Sequence, residues 1–472
     1  MRTPPSAPPR TQPTGTPLPP LAGGEHGPDA LRPLLATVLD ALRDGATRRG
    51  GPIPAGGPAH VAAQLRAAAE PVLPDEGTGP HQALRTLVHA LTQGAADPAH
   101  PHCAAHLHTP PLALAVAADL AASALNQSMD SWDQAPAASV LETLVTRALA
   151  AEVYPRHPAP DALVTTGGTE SNHLALLLAR ERHGRVQIIC GAHTHHSVHR
   201  AAWLLGLPAP ITLPTPTGVI DPAALDEALS RLTPPLLVTA TAGTTDTGRI
   251  DPLPAIADIC DTHGAELHID AAYGGPLLFS PTRRAALDGL DRAHSVTLDL
   301  HKLGWQPIAA GLLAVPATTD LTPLGHTADY LNADDDTEAG LPDLLGRSLR
   351  TTRRPDILKT AVTLKALGRT GLAALIDHTC AAAQRLADLI DARPGLELHE
   401  RPTLTTVLFR PTGATDDTVA AIRRALLTEG TTVLGRAHAD NRLWLKATLL
   451  NPHATPGDLE ALLTLVEGGT RR

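Results

Sequence analysis

Residues 236–275, LLVTATAGTTDTGRIDPLPAIADICDTHGAELHIDAAYGG, decide the fold. The short apolar run Leu236–Ala240 predicts a buried strand, and Leu267–Ile269 predicts a second. Between them, Leu253–His263 carries apolar residues at helical spacing. Two buried strands joined by a helix are typical of a parallel sheet with a crossover helix. This stretch therefore predicts an α/β fold.

The same alternation extends on both sides of this unit. Apolar runs predict further strands at Val186–Cys190 and Ser295–Leu298, and Leu174–Arg182 predicts a helix. Strands that are apolar throughout are expected in a sheet that is mostly parallel and covered by helices on both faces.

The pattern changes after Arg354. A long helical pattern runs from Ile357 to Ile390, and strand-like pieces follow at Thr405–Phe409 and Leu443–Thr448. We expect a smaller α+β domain here.

The N-terminal part of the chain differs from the rest. Its first 28 residues are rich in Pro, Gly and Thr, with almost no large apolar side chains, and such a segment cannot offset its ordering entropy by burial. From Asp29 to Arg43 apolar residues recur at helical spacing. The expected organisation is a disordered tail, a helical extension, a large domain and a small C-terminal domain, at residues 1–28, 29–110, 111–360 and 361–472.

Composition excludes several classes of protein. A net charge of −10 disfavours nucleic-acid binding, and no unbroken apolar stretch is long enough to suggest a membrane span. The proline-rich N-terminus lacks the apolar core of a secretory signal. Four scattered cysteines without a C-x-x-C pair do not form a disulfide framework. We expect a cytoplasmic protein with reduced cysteines.

A glycine-rich segment follows the apolar pair Leu163-Val164. Residues 165–172 read TTGGTESN and precede a helix. Glycines let backbone N–H groups approach an anion, and a helix N-terminus adds unpaired donors. The alternative is an ordinary turn in which Thr169 or Ser171 caps the helix.

Two further polar residues stand just beyond predicted strands. Asp270 follows one strand, at the sheet edge where α/β proteins bind ligands, and could pair with a protonated ring nitrogen. Lys302 follows another, and its amine could form an imine with a carbonyl cofactor. Taken alone, Asp270 could equally cap a turn, and Lys302 could be a solvated loop lysine.

Histidines cluster in two segments, 193–199 and 100–108. A histidine could stack on a flat ring, and a metal cluster is the competing interpretation. The spacing of His193, His195 and His196 scatters potential ligands across a loop, with no Cys or carboxylate close by. We therefore expect no metal.

Taken in order, these motifs resemble the pyridoxal-dependent amino-acid decarboxylases called group II, of the aspartate-aminotransferase fold type, or fold type I. The resemblance runs from about His106 to Pro452. Within the family the chain is most similar to the bacterial diaminobutyrate and lysine decarboxylase branch, through NQSMDSWDQ at 126–134 and TTRR at 351–354. The matching stretches are GGTESN, HHSVHRAAWLLG, TAGTTDTGRIDPL, HIDAAYGG, DLHKLGWQP and RSLRTTRRPDILK.

The resemblance implies pyridoxal 5′-phosphate as cofactor and a role for each matching residue. Lys302 would carry the cofactor as an imine, and Asp270 would pair with the ring nitrogen. His195 and Ala272 would flank the two ring faces. Gly168, Thr169 and His301 would hold the phosphate, and Thr245 would lie near the phenolic oxygen.

The resemblance also implies a homodimer with active sites at the subunit interface. Arg353 or Arg354 would face the substrate carboxylate or support that pocket. The less secure candidates for pocket residues are His106, His108, Asp130 and Asp133.

One position departs from the family pattern. Aromatic amino-acid decarboxylases have a mobile-loop tyrosine where even spacing places Leu344, which argues against an aromatic substrate and leaves the proton donor to the substrate α-carbon unassigned. The expected activity is decarboxylation of a small aliphatic diamino acid, 2,4-diaminobutyrate or lysine. The alternatives are decarboxylation of aspartate or glutamate, another reaction such as that of a lyase or aminotransferase, and a non-catalytic protein of the same fold.

Overall fold

The N-terminal part of the structure, a computed structural model that describes residues 18–325 and 333–469, is helical. The first helix confirms the pattern seen at Asp29–Arg43, whereas residues 1–17 of the predicted tail lie outside the described residues. The elements are α1 (Gly27–Arg49), α2 (Gly57–Ala69), α3 (Pro80–Gln93) and the short strand β1 (Cys103–Ala104).

The large domain alternates strands and helices, as the sequence predicts. Its elements are α4 (Ala113–Leu125), α5 (Pro136–Val153), β2 (Asp161–Thr165), α6 (Gly168–His183), β3 (Gln187–Gly191), α7 (His196–Leu204), β4 (Ile211–Leu213), α8 (Pro222–Ser230), β5 (Leu236–Thr241), α9 (Leu253–His263), β6 (Glu266–Ala271), β7 (Ser295–Asp299) and β8 (Gly311–Val315).

These strands form a seven-stranded sheet in the order β2-β8-β7-β6-β5-β3-β4. All of its pairings are parallel except those of β8, which runs antiparallel to both β2 and β7. The central strands β5 and β7 are buried along their whole length, which explains why they read as apolar runs rather than as alternating patterns. The carboxyl ends of β5, β6 and β7 therefore meet at one edge.

The C-terminal part of the chain forms the small domain. Its elements, after the short helix α10 (Asp334–Glu338), are α11 (Ile357–Asp391), β9 (Leu396–Leu398), β10 (Thr406–Pro411), α12 (Asp416–Glu429), β11 (Val433–Ala439), β12 (Arg442–Thr448) and α13 (Pro456–Gly469). The predicted boundary between residues 360 and 361 falls inside α11, which bends at Gly368, where φ is 59°.

The small-domain sheet has the order β1-β11-β12-β10-β9. Strand β1 pairs in parallel with β11, so the segment before the large domain contributes an edge strand to the small one. Two residues of strand carry too little periodicity to be recognised from sequence. No helix in the described part of the chain is both long and apolar enough to cross a membrane.

Candidate active site

A cavity of about 280 Å³ opens at the carboxyl edge of the large sheet, where ligands bind in α/β folds. Its walls come from the loops that follow β2, β3, β5, β6 and β7. All eight residues expected to hold the cofactor line it, namely Gly168, Thr169, His195, Thr245, Asp270, Ala272, His301 and Lys302. Eight further lining residues were assigned no cofactor role from the sequence, namely Leu107, Thr166, Gly167, His193, Thr241, Gly243, Tyr273 and Asp299.

The glycine-rich segment lies at the N-terminus of α6. A Cβ atom on Gly167, whose φ is 155°, would come within 2.8 Å of His301 Cε1, and one on Gly168 within 3.0 Å of Ala272 Cβ. Glycine at both positions thus brings the backbone close to the cavity. Since the first N–H groups of a helix lack intrahelical acceptors, this corner suits an anion such as a phosphate.

Glu170 is hydrogen-bonded to Thr166, the residue just before the two glycines. Its Oε2 accepts hydrogen bonds from both the N–H and the Oγ1 of Thr166, each at 2.7 Å. Its Oε1 lies 3.3 Å from Nε of Arg350. Arg350 therefore links the segment before α11 to the anion-binding corner.

Asp270 is held from two sides at the end of β6. The residue is buried, with only 6% of its surface exposed. Oδ2 accepts a hydrogen bond of 2.7 Å from Asn172 Nδ2, and Oδ1 accepts one of 3.1 Å from Ala272 N. Both donors fix the position of this carboxyl group, which lines the cavity.

Histidine 195 stands at the N-cap of α7 and lines the same cavity. Its Nδ1 lies 2.8 Å from Ser197 Oγ. Burial lowers the pKa of His195, while the nearby Asp270 opposes that shift. A neutral imidazole is the form best suited to stack on a ring that carries positive charge.

Lys302 lies in the turn after β7. The chain has four lysines, and Lys302 is the one that lines the cavity. Its Nζ is 3.7 Å from Oδ2 of Asp299, whose side chain is 1% exposed. The turn is anchored to the small domain, because Trp305 Nε1 donates a hydrogen bond of 2.8 Å to the carbonyl oxygen of Leu450.

Tyr273 connects the cavity wall to the small domain. Its hydroxyl lies 2.7 Å from Thr405 Oγ1 and 2.9 Å from Thr406 Oγ1, and accepts a bond from Thr405 N at 3.0 Å. Burial raises its pKa to about 12, so the phenol stays protonated. Sequence offered no signal for this contact, which joins residues more than 130 positions apart.

The expected substrate residues lie outside this cavity within one chain. Both terminal nitrogens of the buried Arg353 bind Glu142, at 2.5 and 2.8 Å. Arg354 pairs with Asp119 and with Asp356. Two roles were expected for this pair, to face the substrate carboxylate or to support the pocket. Their ion pairs are those of residues that support the surrounding structure, and neither arginine reaches the cavity of its own chain.

The acidic and histidine candidates also stand apart from it. Asp133 is exposed and accepts a bond of 2.6 Å from Ser131 Oγ, and the buried Asp130 accepts one of 2.7 Å from Gln134 Nε2. His106 and His108 flank Leu107, which does line the cavity, but are themselves exposed. Their part in substrate binding stays a prediction.

The histidine segments do not gather into a metal centre. Among residues 18–325 and 333–469 there is no group of three or more His, Cys, Asp or Glu side chains arranged to hold a metal ion. Leu344, at the position of the family's loop tyrosine, is buried, with 8% of its surface exposed.

Known proteins resemble this chain over most of its length. Residues 63–412 match the family model described as the pyridoxal-dependent decarboxylase conserved domain. The L-2,4-diaminobutyrate decarboxylase of Rhizobium meliloti (strain 1021) is 40% identical over 417 residues, which are 85% of this chain and 84% of that protein. The enzyme of the same description from Acinetobacter baumannii is 34% identical, over 83% of this chain and 84% of its own.

A solved structure shares the fold over nearly its whole length. It is the glutamate decarboxylase domain of diaminobutyrate-pyruvate transaminase and L-2,4-diaminobutyrate decarboxylase from Vibrio parahaemolyticus. The TM-score is 0.85 at 32% sequence identity, and the match covers 96% of this chain and 97% of that one.

Proposed function

Since the chain belongs to the pyridoxal-dependent decarboxylase family, we propose that it releases CO₂ from a small aliphatic diamino acid, with L-2,4-diaminobutyrate ahead of lysine. It is a pyridoxal-phosphate-dependent amino-acid decarboxylase. The observation that carries the choice of substrate is the 40% identity to an L-2,4-diaminobutyrate decarboxylase over 85% of the chain.

The cavity suits the cofactor in shape and in chemistry. A Cβ atom would crowd His301 at Gly167 and Ala272 at Gly168, so glycine lets the backbone approach the cavity where α6 begins. A buried carboxylate, Asp270, and a lysine amine, Lys302, face the same space. We propose that Gly168, Thr169 and His301 bind the phosphate.

When bound, pyridoxal phosphate supplies an electron-withdrawing ring that accepts the electron pair released as the substrate carboxylate leaves. Lys302 would hold it through Nζ. Asp270 would keep a proton on the ring nitrogen, because a carboxylate in a buried site favours an adjacent cation. His195 and Ala272 would exclude water from the two ring faces, and Thr245 would contact the phenolic oxygen.

An acidic substrate is the second candidate, and the contacts of two arginines argue against it. Arg347 could serve a side-chain carboxylate, but it already binds Asp161 at 2.8 Å. Arg350 is likewise paired with Glu170. Neither arginine lines the cavity. Recognition of a second carboxylate would require these ion pairs to be given up.

We propose that a second copy of the chain completes the site. Apolar side chains stand exposed on the outer faces of α4 and α5, which pack against α11. Asp133 is exposed on the segment that joins α4 to α5. In a homodimer, this carboxylate would reach the neighbouring cavity and pair with the terminal ammonium of the substrate. The exposed apolar residues are Val116, Leu120, Leu125, Val140 and Leu144.

The proposed location is the cytoplasm. None of the four cysteines, all of which lie in the described ranges, is in a disulfide, and three are buried. Reduced, scattered thiols are usual in that compartment.

The substrate assignment is tested by kcat/KM for CO₂ release across diaminobutyrate, ornithine, lysine, aspartate, glutamate and aromatic amino acids. Diaminobutyrate should rank first, and Asp133→Asn should lower its value more than that for aspartate. If aspartate or glutamate exceeds every diamino acid by tenfold, about 1.4 kcal/mol of transition-state preference, the substrate assignment is wrong while the family stands.

A further inference from the structure

Asn172 occupies a fully buried position on α6 beneath the cavity. Its Nδ2 donates to Asp270 Oδ2 at 2.7 Å and to Ser197 Oγ at 2.9 Å. Its Oδ1 accepts from Thr297 Oγ1 at 2.7 Å and lies 3.1 Å from His268 Nε2. One amide thus joins the ends of β6 and β7 to the start of α7.

The partners fix the orientation of this amide. An ionised carboxylate can only accept, so Asp270 requires the Nδ2 group of Asn172. Oδ1 of Asn172 then faces Thr297 and His268, which must supply the donors. Since Oδ1 of Asn172 can only accept, His268 donates to it from Nε2. His268 is fully buried, and burial lowers its pKa, which favours the neutral ring. Its Nδ1 can then accept from Ser295 Oγ, 2.8 Å away.

The hydrogen-bond donors around His195 also determine which of its ring nitrogens carries the proton. Ser197 Oγ accepts from Asn172, which leaves its hydroxyl hydrogen for His195 Nδ1 at 2.8 Å. The backbone N–H of Ser197 also points to this Nδ1, at 3.4 Å. With two donors directed at it, Nδ1 acts as an acceptor, and the imidazole proton belongs on Nε2.

We propose that Asn172 is a positioning residue that acts through Ser197 to hold His195 in its neutral form with the proton on Nε2. The chain of bonds connects the carboxyl group of Asp270 to His195, and both residues line the same cavity. A single network therefore positions the carboxyl group and sets the tautomer of the ring. This proposal rests on the proposed function, but the tautomer of His195 exists in the protein without turnover and can be measured without substrate.

The chain of donors also explains why the buried amide is tolerated. Every polar atom of Asn172 has partners, and a fully satisfied buried network rigidifies its site. Losing the amide would leave Asp270 short of a donor and free the hydroxyl of Ser197 to rotate. The tautomer of His195 would then no longer be specified.

The test is the tautomer of His195 in the holoenzyme, read from the ¹³Cδ2 chemical shift of labelled histidine in deuterated protein. His195→Gln identifies the signal by its disappearance. The variants are Ser197→Ala and Asn172→Ala. Ser171→Ala is the matched control, because it removes a neighbouring buried hydroxyl that contacts Thr165, at 2.7 Å, outside the network.

The wild type and Ser171→Ala should show a single Nε2–H tautomer, and Ser197→Ala should shift the signal toward a mixture. Asn172→Ala should do the same alone and add nothing in the Ser197→Ala background, since its influence passes through Ser197. A wild-type Nδ1–H signal, or a Ser197→Ala signal identical to that of the wild type, would overturn the inference. If Asn172→Ala does not fold, Asn172→Leu, which keeps the volume but removes both polar atoms, takes its place, and a wild-type signal in that variant would also overturn the inference. Because no substrate is used, a wrong substrate assignment would leave the result unchanged.

Discussion

Asp299 Oδ2 lies 3.7 Å from Lys302 Nζ and 3.3 Å from the backbone nitrogen of Gly168. Its other oxygen accepts a bond of 3.0 Å from His301 N. One buried carboxylate thus fixes the turn that carries the lysine against the N-terminus of α6. The turn that carries Lys302 and the start of α6 are therefore held together by one side chain.

Replacing Lys302 with alanine should abolish turnover and the covalent link to the cofactor that borohydride traps. No other lysine lines the cavity, so no side chain in the described chain can take over. Peptide mapping of the reduced, labelled enzyme checks this. Lys365→Ala is the control, since that lysine is exposed on α11. Label found on Lys359, Lys365 or Lys446 in the wild type would refute the assignment.

Asp270→Asn should retain some bound cofactor but lower kcat by at least about a hundredfold, since a neutral amide no longer favours a proton on the ring nitrogen. The matched control is Asp161→Asn, a buried carboxylate at the opposite end of the sheet that pairs with Arg347. That variant should lower the melting temperature and leave kcat nearly unchanged. A near-normal kcat for Asp270→Asn would reduce Asp270 to a turn cap.

The fall of kcat/KM at low pH, the acid limb of its pH profile, should depend on His195. Burial lowers its pKa below 6.5, and the charged groups facing it are Asp270, which opposes the shift, and His196 and Lys302, which add to it. The imidazole is neutral above this pKa and gains a proton below it. We therefore expect kcat/KM to hold at pH 6.5 and fall at lower pH.

His195→Gln, whatever its residual activity, should lose that acid limb. His196→Gln, at the exposed neighbour whose ring centroid lies 4.2 Å away, should keep it. An unchanged limb in His195→Gln would assign the titration to another group.

Deleting residues 1–20 should leave activity and melting temperature nearly unchanged. Their composition supports no core, and α1 begins later, at Gly27. Thermal unfolding and a turnover assay of the shortened chain check this. A marked loss of either would show that the segment contributes contacts.

The cofactor residues could be predicted because each follows a strand in chain order, and parallel strands bring their carboxyl ends together. Asn172 could not be predicted in the same way. It lies inside the GGTESN motif, but its partners Asp270 and Thr297 are 98 and 125 residues away, and only the tertiary fold joins them.

The arginines show the converse limit. The resemblance left open whether Arg353 meets the substrate carboxylate or supports the pocket, and its ion pair with Glu142, 211 positions away, is visible only in the fold. Strand β8 was not predicted, and its antiparallel pairing with β7 is set by how the chain folds back over residues 300–310. The apolar pattern of a segment indicates that it is buried. Which strands it pairs with, and in which direction, depends on how the rest of the chain folds.

Product stoichiometry with L-2,4-diaminobutyrate tests the central claim most directly. Carboxyl-labelled substrate is incubated with the holoenzyme, and labelled CO₂, propane-1,3-diamine and keto acid are quantified together. We expect one CO₂ and one diamine for each substrate consumed, no keto acid, and no products with Lys302→Ala. Formation of a keto acid with the carboxyl label retained would contradict it.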